Sequence, residues 1–192
     1  MNHLDLQSLS LVLRRMGWIR FWVQLTLGTV VVVVLAFNNI GSNLTGDSER
    51  ALGLGPGLSL TTLSFLVLLF SLWQGWLIVR VGRALNSSSA VRPTRGQTGR
   101  LLKRGLLADL LGLVFAAIGY QSLSGSLFLQ TSLQAPGFFG STASGDGSRS
   151  FIGYPVTPIE VFSVLSNTQV LFAHLVGLIL SLWLLQRIYR AS

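Results

Sequence analysis

Long apolar blocks separated by short polar segments dominate this sequence. Four blocks stand out, at about 18–37, 58–81, 105–129 and 161–185. A helix needs about 20 apolar residues to cross a bilayer, and each block reaches that length. A chain in lipid must satisfy its backbone polar groups internally, so each block predicts a transmembrane helix. The predicted fold class is all-α, an integral membrane protein with four transmembrane helices in one domain, 1–192.

The segments between the blocks predict how the chain enters and leaves the membrane. Residues 1–16 mix Leu with Ser and Arg, which predicts a short helix lying on the membrane surface. Residues 82–104 form a basic inner loop, and residues 131–158 form a Gly-rich outer loop. The outer loop does not resemble a phosphate-binding loop, because no Gly-Lys-Ser/Thr follows its glycines.

Charge placement fixes the predicted topology. The net charge is +8, and of the 14 Lys and Arg residues all but Arg50 and Arg149 lie near the N-terminus, in or just before the 82–104 segment, or at the C-terminus. The positive-inside rule then places both termini on the cytoplasmic (stromal) side. Because topology explains the basic residues and no base-reading motif accompanies them, nucleic acid is excluded as a partner. The lipid bilayer is the expected one.

The sequence shows no pattern typical of a catalytic site or of a binding site for soft metal ions. The chain has no cysteine and only two histidines. There is no His-x-x-x-His pair, Glu-x-x-His motif or nucleophile elbow. We therefore expect a protein that is not an enzyme and has no catalytic residues.

Asp109 is an ionisable residue inside an apolar block, and such residues are functional suspects. One interpretation is an interfacial acid paired with Arg104, Lys103 or Arg80. The other is a cation or proton ligand at the inner mouth of a pathway.

The fourth block carries His174 at its middle and Asn167 seven residues earlier, on the same side of the helix. Hydrogen bonding between helices explains both residues. A metal ligand, a proton relay or an axial ligand to chlorophyll is the alternative for His174, since neutral imidazole suits each role. Gln121, together with Gln24 and Gln74, could complete a polar cluster with Asn167. His174, Asn167, Gln121 and Asp109 are thus the candidate cation or polar pathway.

Gly112, Ala116 and Gly119 lie near one face of the third block. Small residues on one face let a neighbouring helix approach closely. These three positions therefore predict helix packing.

Several segments together resemble one known family. The first block contains Phe21-Trp22-Val23-Gln24 after a basic pair, and the third contains Leu111-Gly112 with Gly119 and Gln121. The fourth combines Asn167-Thr168 with His174-Leu175-Val176-Gly177. Over roughly residues 10 to 190 the chain resembles the small four-helix protein family of the chloroplast inner envelope, whose cyanobacterial relatives carry a domain of unknown function. That family has been described both as a protein-import translocon component and as an iron permease.

The resemblance implies two functions. The first is a permease, or permease subunit, for iron or a related divalent metal such as manganese, with a homo-oligomer supplying the pathway. The second is a non-enzymatic assembly or scaffold subunit of a photosynthetic or protein-translocation membrane complex. Because no transit segment precedes the first block, the expected location is a cyanobacterial thylakoid or plasma membrane.

Overall fold

The protein is built from four long α-helices. The computed structural model describes residues 3–45, 50–86, 94–133 and 158–190. The helices are α1 (His3–Thr45), α2 (Arg50–Asn86), α3 (Arg95–Leu133) and α4 (Pro158–Arg190). Three segments, Leu9–Phe37 in α1, Gly57–Leu85 in α2 and Glu160–Tyr189 in α4, are long and apolar enough to cross a membrane. The prediction of an all-α membrane protein is confirmed.

The helices extend beyond the apolar blocks that predicted them. The prediction of a separate surface helix over 1–16 is wrong, since α1 is continuous from His3. Leu9 and Leu13 are buried there against a cluster that includes Ile78 and Leu184, so this segment packs into the bundle. The inner-loop segment 82–104 is helical up to Asn86 and again from Arg95. Most of the Gly-rich segment 131–158 lies outside the described residues.

The helices pack as an up-and-down bundle. Gly17 faces Val79 and Gly28 faces Leu68, so α1 and α2 run antiparallel. The other neighbouring pairs, α2 with α3, α3 with α4 and α4 with α1, repeat this arrangement. Of the two diagonals, α2 and α4 approach each other, whereas the described parts of α1 and α3 do not. This is the topology of an antiparallel four-helix bundle.

The outer surface is apolar and carries its exposed tryptophans near one end. Trp22, Trp73 and Trp76 are each about half exposed. At the same end, Arg80 lies over Trp76 with its Cζ 5.7 Å from the ring centroid, and Arg187 lies over the Trp183 ring at 5.6 Å. Tryptophan and arginine in this arrangement are typical of a membrane interface. We call this end, marked by Arg80 and Arg187, the basic end.

The interior has two apolar layers with a polar layer between them. The layer near the basic end is the cluster around Leu13, Ile78 and Leu184. The layer toward the other end contains Val31, Ala116 and Val170. Between these layers, facing side chains are polar and fully buried, which is costly in a membrane unless each group finds a partner.

Candidate functional site

An ion pair lies at the centre of the polar layer. The Nη2 atom of Arg20 on α1 donates to Oδ2 of Asp109 on α3 at 2.9 Å, and both side chains are completely buried. Because α1 and α3 face each other across the wider diagonal, the long arginine side chain spans the bundle interior. The buried charges compensate each other, which is the usual condition for keeping ions in a membrane interior.

Three further side chains hold this pair. Ser71 on α2 donates to Asp109 Oδ1 at 2.5 Å and lies 2.8 Å from Arg20 Nη2. Gln24, one turn after Arg20, donates to the same Asp109 oxygen at 3.2 Å. Ser181 on α4 accepts from Arg20 Nη1 at 2.7 Å. All four helices therefore contribute to one network around the carboxylate, and both of its oxygens are engaged.

His174 on α4 borders this network, and both of its ring nitrogens face oxygens. Nε2 lies 3.1 Å from the backbone carbonyl of Ser64, and Nδ1 lies 3.4 Å from Asp109 Oδ1. A carbonyl oxygen can only accept, so Nε2 carries the proton and donates. A nitrogen that donates has no lone pair for a metal, so only Nδ1, which faces Asp109 Oδ1, could bind one. In this geometry, His174 cross-links α2, α3 and α4.

Glycines make the space that these polar groups occupy. A Cβ at Gly112 would lie within 2.6 Å of His174 Nδ1, inside its imidazole ring. A Cβ at Gly177 would lie 2.6 Å from Asp109 Oδ2, and one at Gly105 would lie 3.3 Å from Arg20 Nη1. The helices can therefore bring their backbones against the network only with glycine at 112 and 177.

A second, smaller polar contact lies farther from the basic end. The Asn167 amide nitrogen donates to the carbonyl of Ala116 at 2.8 Å, and Thr61 donates to the Asn167 oxygen at 3.1 Å. The Asn167 oxygen also lies near Gly119, where a Cβ would be 3.5 Å away. Gly112, Ala116 and Gly119 thus lie on the buried face of α3, against α2 and α4.

The structure brings together only part of the candidate pathway. Asp109 and His174 are in contact, and Asn167 lies about two turns before His174 on α4, away from this contact. Gln121 is exposed on the outside of α3, so it does not join the Asn167 contact. Gln74 is buried, but its oxygen has no hydrogen-bond partner among the described residues. The four residues therefore do not converge on one cavity.

The pairing expected for Asp109 is also different. One of the two interpretations from the sequence pairs Asp109 with Arg104, Lys103 or Arg80, all at the basic end. The structure pairs Asp109 with Arg20, because Arg20 is turned inward and is 0% exposed, whereas Arg104 and Lys103 are exposed. From the sequence, Arg20 belongs with the basic residues near the N-terminus that set the predicted topology.

A sequence signal for Arg20 exists in retrospect. Arg20 stands between Trp18 and Trp22, inside the apolar block, and Gln24 follows four residues later on the same helical face. Buried serines are harder to foresee, because Ser71, Ser64 and Ser181 look like many other serines in the apolar blocks. Their roles depend on which helix faces which.

The chemistry available at the site is that of a closed, charge-balanced core. Among the described residues, no group of three or more His, Asp or Glu side chains could hold a metal ion. Asp109 has each oxygen engaged by donors, and the nearest cation to it is Arg20 itself. A cation entering the bundle would therefore have to displace a buried guanidinium.

Comparisons with known proteins agree with the part of the resemblance that concerns a chloroplast protein. The chain is 27% identical over 188 residues to Protein TIC 21, chloroplastic, of Arabidopsis thaliana. The match covers 95% of this chain but 58% of the length of that relative. No solved structure matches the chain. The iron-permease part of the resemblance is not shown by these matches.

A family model covers nearly the whole chain. It matches residues 3–189, which include all four helices apart from the last residue of α4. The match therefore extends over every residue of the polar network. The chain is an integral membrane protein that belongs to the family described as "Protein of unknown function (DUF3611)".

Proposed function

We propose that the chain is a non-enzymatic assembly subunit of a membrane complex that inserts or translocates proteins. The observation that carries the proposal is the buried Arg20–Asp109 pair, which closes the bundle centre with paired charges. A subunit whose interior is closed acts through its outer surface. That surface is apolar over much of its length, as in Phe70, Ile118 and Phe172, and a partner helix could pack there.

The resemblance to the chloroplast envelope family supports protein translocation over a photosynthetic complex. The relative with 27% identity is a chloroplast protein by name, and it is longer than this chain. Within the proposal, the chain is a subunit of a larger complex or a homo-oligomer, and it lies in a cyanobacterial thylakoid or plasma membrane.

The proposal includes α3 as the fourth span and both termini on the cytoplasmic side. The supporting observation is the packing of α3 between α2 and α4, with Asp109 at the level of Ser71 and Ser181. A helix packed at the same depth as three spanning helices would share their environment. The basic end, where α1 begins and α4 ends, would face the cytoplasm by the positive-inside rule.

Transport of iron or manganese is the second candidate. The observation that favours it is the placement of His174 and Asn167 along the inner face of one helix. Two observations oppose it. The Arg20 guanidinium lies beside the proposed acidic ligand, and the hydrogen bond from His174 Nε2 to the Ser64 carbonyl leaves only Nδ1 for a metal. Like charge in the path raises the barrier for a cation.

Photo-crosslinking in intact membranes tests the assembly role. A photoreactive amino acid is placed singly at an exposed position of each helix, namely Val33, Phe70, Ile118 and Phe172. The probe is a tagged membrane protein arrested during insertion. We expect adducts with the arrested chain at positions on one helix or on two adjacent helices. The four positions serve as matched controls for one another, since they have similar exposure.

Two results would contradict the assembly role. The first is the absence of adducts with the arrested chain at all four positions while lipid adducts still form. The second is an equal yield at every position, which would indicate random collision. A specific contact must instead depend on which helix carries the probe.

A further inference from the structure

A groove of about 780 Å³ lies on the outer face of α1, near the basic end. It is separate from the polar network, which lies on the inner face of the same helix. The residues that line it all belong to α1 and include Arg14, Arg15, Trp18, Ile19, Trp22 and Val23.

The groove residues change character along the helix axis. Arg14 and Arg15 are exposed at the end nearer the membrane surface, and Ile19 and Val23 follow deeper in the apolar span. At about 1.5 Å per residue, Arg15 and Val23 are separated by roughly 12 Å along the axis. That distance is of the order needed to pass from a lipid headgroup into the upper acyl region.

Two tryptophans form the wall between the charged and the apolar parts. Trp18 and Trp22 stack with ring centroids 6.0 Å apart and an interplanar angle of 19°. Trp22 is 56% exposed. Indole rings at this depth are typical of the interface between headgroups and acyl chains. The stacked pair therefore gives a rigid apolar side to the groove.

We propose that this groove binds one anionic phospholipid, with its phosphate held by Arg14 and Arg15 and an acyl chain lying against Trp22 and Val23. Adjacent guanidinium groups offer charge-assisted hydrogen bonds to phosphate oxygens. The apolar part of the groove selects a lipid over free phosphate, which has no acyl chain to bury. A second copy of this chain would place two pairs of arginines together, which disfavours self-association through this face.

The test measures lipid retention by the purified full-length chain in detergent. Native mass spectrometry follows the bound lipid after incubation with equimolar phosphatidylglycerol and phosphatidylcholine. We expect one retained phosphatidylglycerol in the wild type. In the variant Arg14→Gln/Arg15→Gln, the apparent affinity for phosphatidylglycerol should fall about 25-fold. The estimate takes about a fivefold loss of affinity for each basic contact to an anionic headgroup that is removed.

The matched control is Arg80→Gln/Arg187→Gln. It removes the same charge from the same end of the bundle, beside Trp76 and Trp183, but outside the groove. This variant should retain the lipid within twofold of the wild type. Adding inorganic phosphate at millimolar concentration should not displace the lipid.

Three outcomes would overturn the proposal. Equal losses in the two double variants would mean that binding depends on overall charge. Equal retention of phosphatidylcholine would mean that the groove does not recognise the headgroup, and displacement by inorganic phosphate would mean that it is a simple anion site. A wild-type dimer lost in Arg14→Gln/Arg15→Gln would mean that a second copy covers the groove.

Discussion

Arg20 on α1 and Asp109 on α3 form a salt bridge across the wider diagonal of the bundle, with Nη2 and Oδ2 2.9 Å apart and neither side chain exposed. The backbones of the two helices do not approach each other within the described residues, so side chains make the contact, and Gln24 also reaches Asp109. This pair, with Ser71 and Ser181, therefore ties together four helices through one carboxylate and one guanidinium. Much of the behaviour expected of the protein follows from that relationship.

Asp109→Asn should strongly destabilise the protein. The substitution leaves the Arg20 charge buried without its counter-ion, and breaking a buried pair costs about 3–5 kcal/mol in the free energy of unfolding. Unfolding in mixed micelles with increasing dodecyl sulfate, followed by far-UV circular dichroism, measures the loss.

The double variant Arg20→Leu/Asp109→Leu is the control for this effect. It removes both charges, so no unpaired ion remains, and it should be much closer to the wild type than Asp109→Asn. If the double variant lost as much free energy of unfolding as Arg20→Leu and Asp109→Leu lose together, direct pairing of Arg20 and Asp109 would be contradicted.

Gly112→Ala should destabilise the bundle, because the added methyl group would overlap the His174 ring. Overpacking of this kind costs about 1–3 kcal/mol in the free energy of unfolding. Gly125→Ala, in the same helix, is the matched control, since nothing lies within 4 Å of its Cβ position. It should be neutral or more stable by up to about 1 kcal/mol, from the helix preference of alanine. Equal effects would show that the close contact at Gly112 is wrong.

Asn167→Ala should lower the free energy of unfolding by about 1–2 kcal/mol. It removes the hydrogen bonds to Ala116 and Thr61, and such bonds between membrane helices are individually modest. Gln121→Ala serves as the control, because Gln121 is exposed and should change stability by no more than about 0.5 kcal/mol. If Gln121→Ala were as harmful as Asn167→Ala, the polar cluster predicted from the sequence would be supported over the observed geometry.

The helices could be predicted from the sequence because hydrophobic length alone specifies a membrane span. The contacts inside the bundle were harder to predict, because whether a side chain faces the interior depends on which helices pack against its own helix. Asn167 and His174 could be placed on one helical face by spacing. Arg20 was misassigned, because an arginine near a helix end usually extends to the interface, whereas here Asp109 draws it inward. The prediction for Gln121 was wrong in the opposite direction. It was expected to face the interior, but a polar residue in an apolar block need not do so, and Gln121 is exposed.

The glycines show how sequence motifs and packing are connected. Gly112 and Gly177 belong to the segments that carried the family resemblance, yet nothing in their spacing indicates what they contact. In the structure, Gly112 makes room for His174, and Gly177 makes room for Asp109 and Gln24. The resemblance on these helices is thus consistent with a shared polar core, which the substitutions above can examine directly.

Metal uptake into sealed proteoliposomes tests most directly whether the bundle is closed to metal ions. Uptake of Fe²⁺ and Mn²⁺ by the wild type is compared with His174→Ala and with empty liposomes, with an ionophore added at the end to prove that the vesicles are sealed. We expect no uptake above that of the empty liposomes for the folded wild type. Saturable uptake that is lost in His174→Ala, with helix content unchanged, would contradict this expectation and establish a metal pathway through His174.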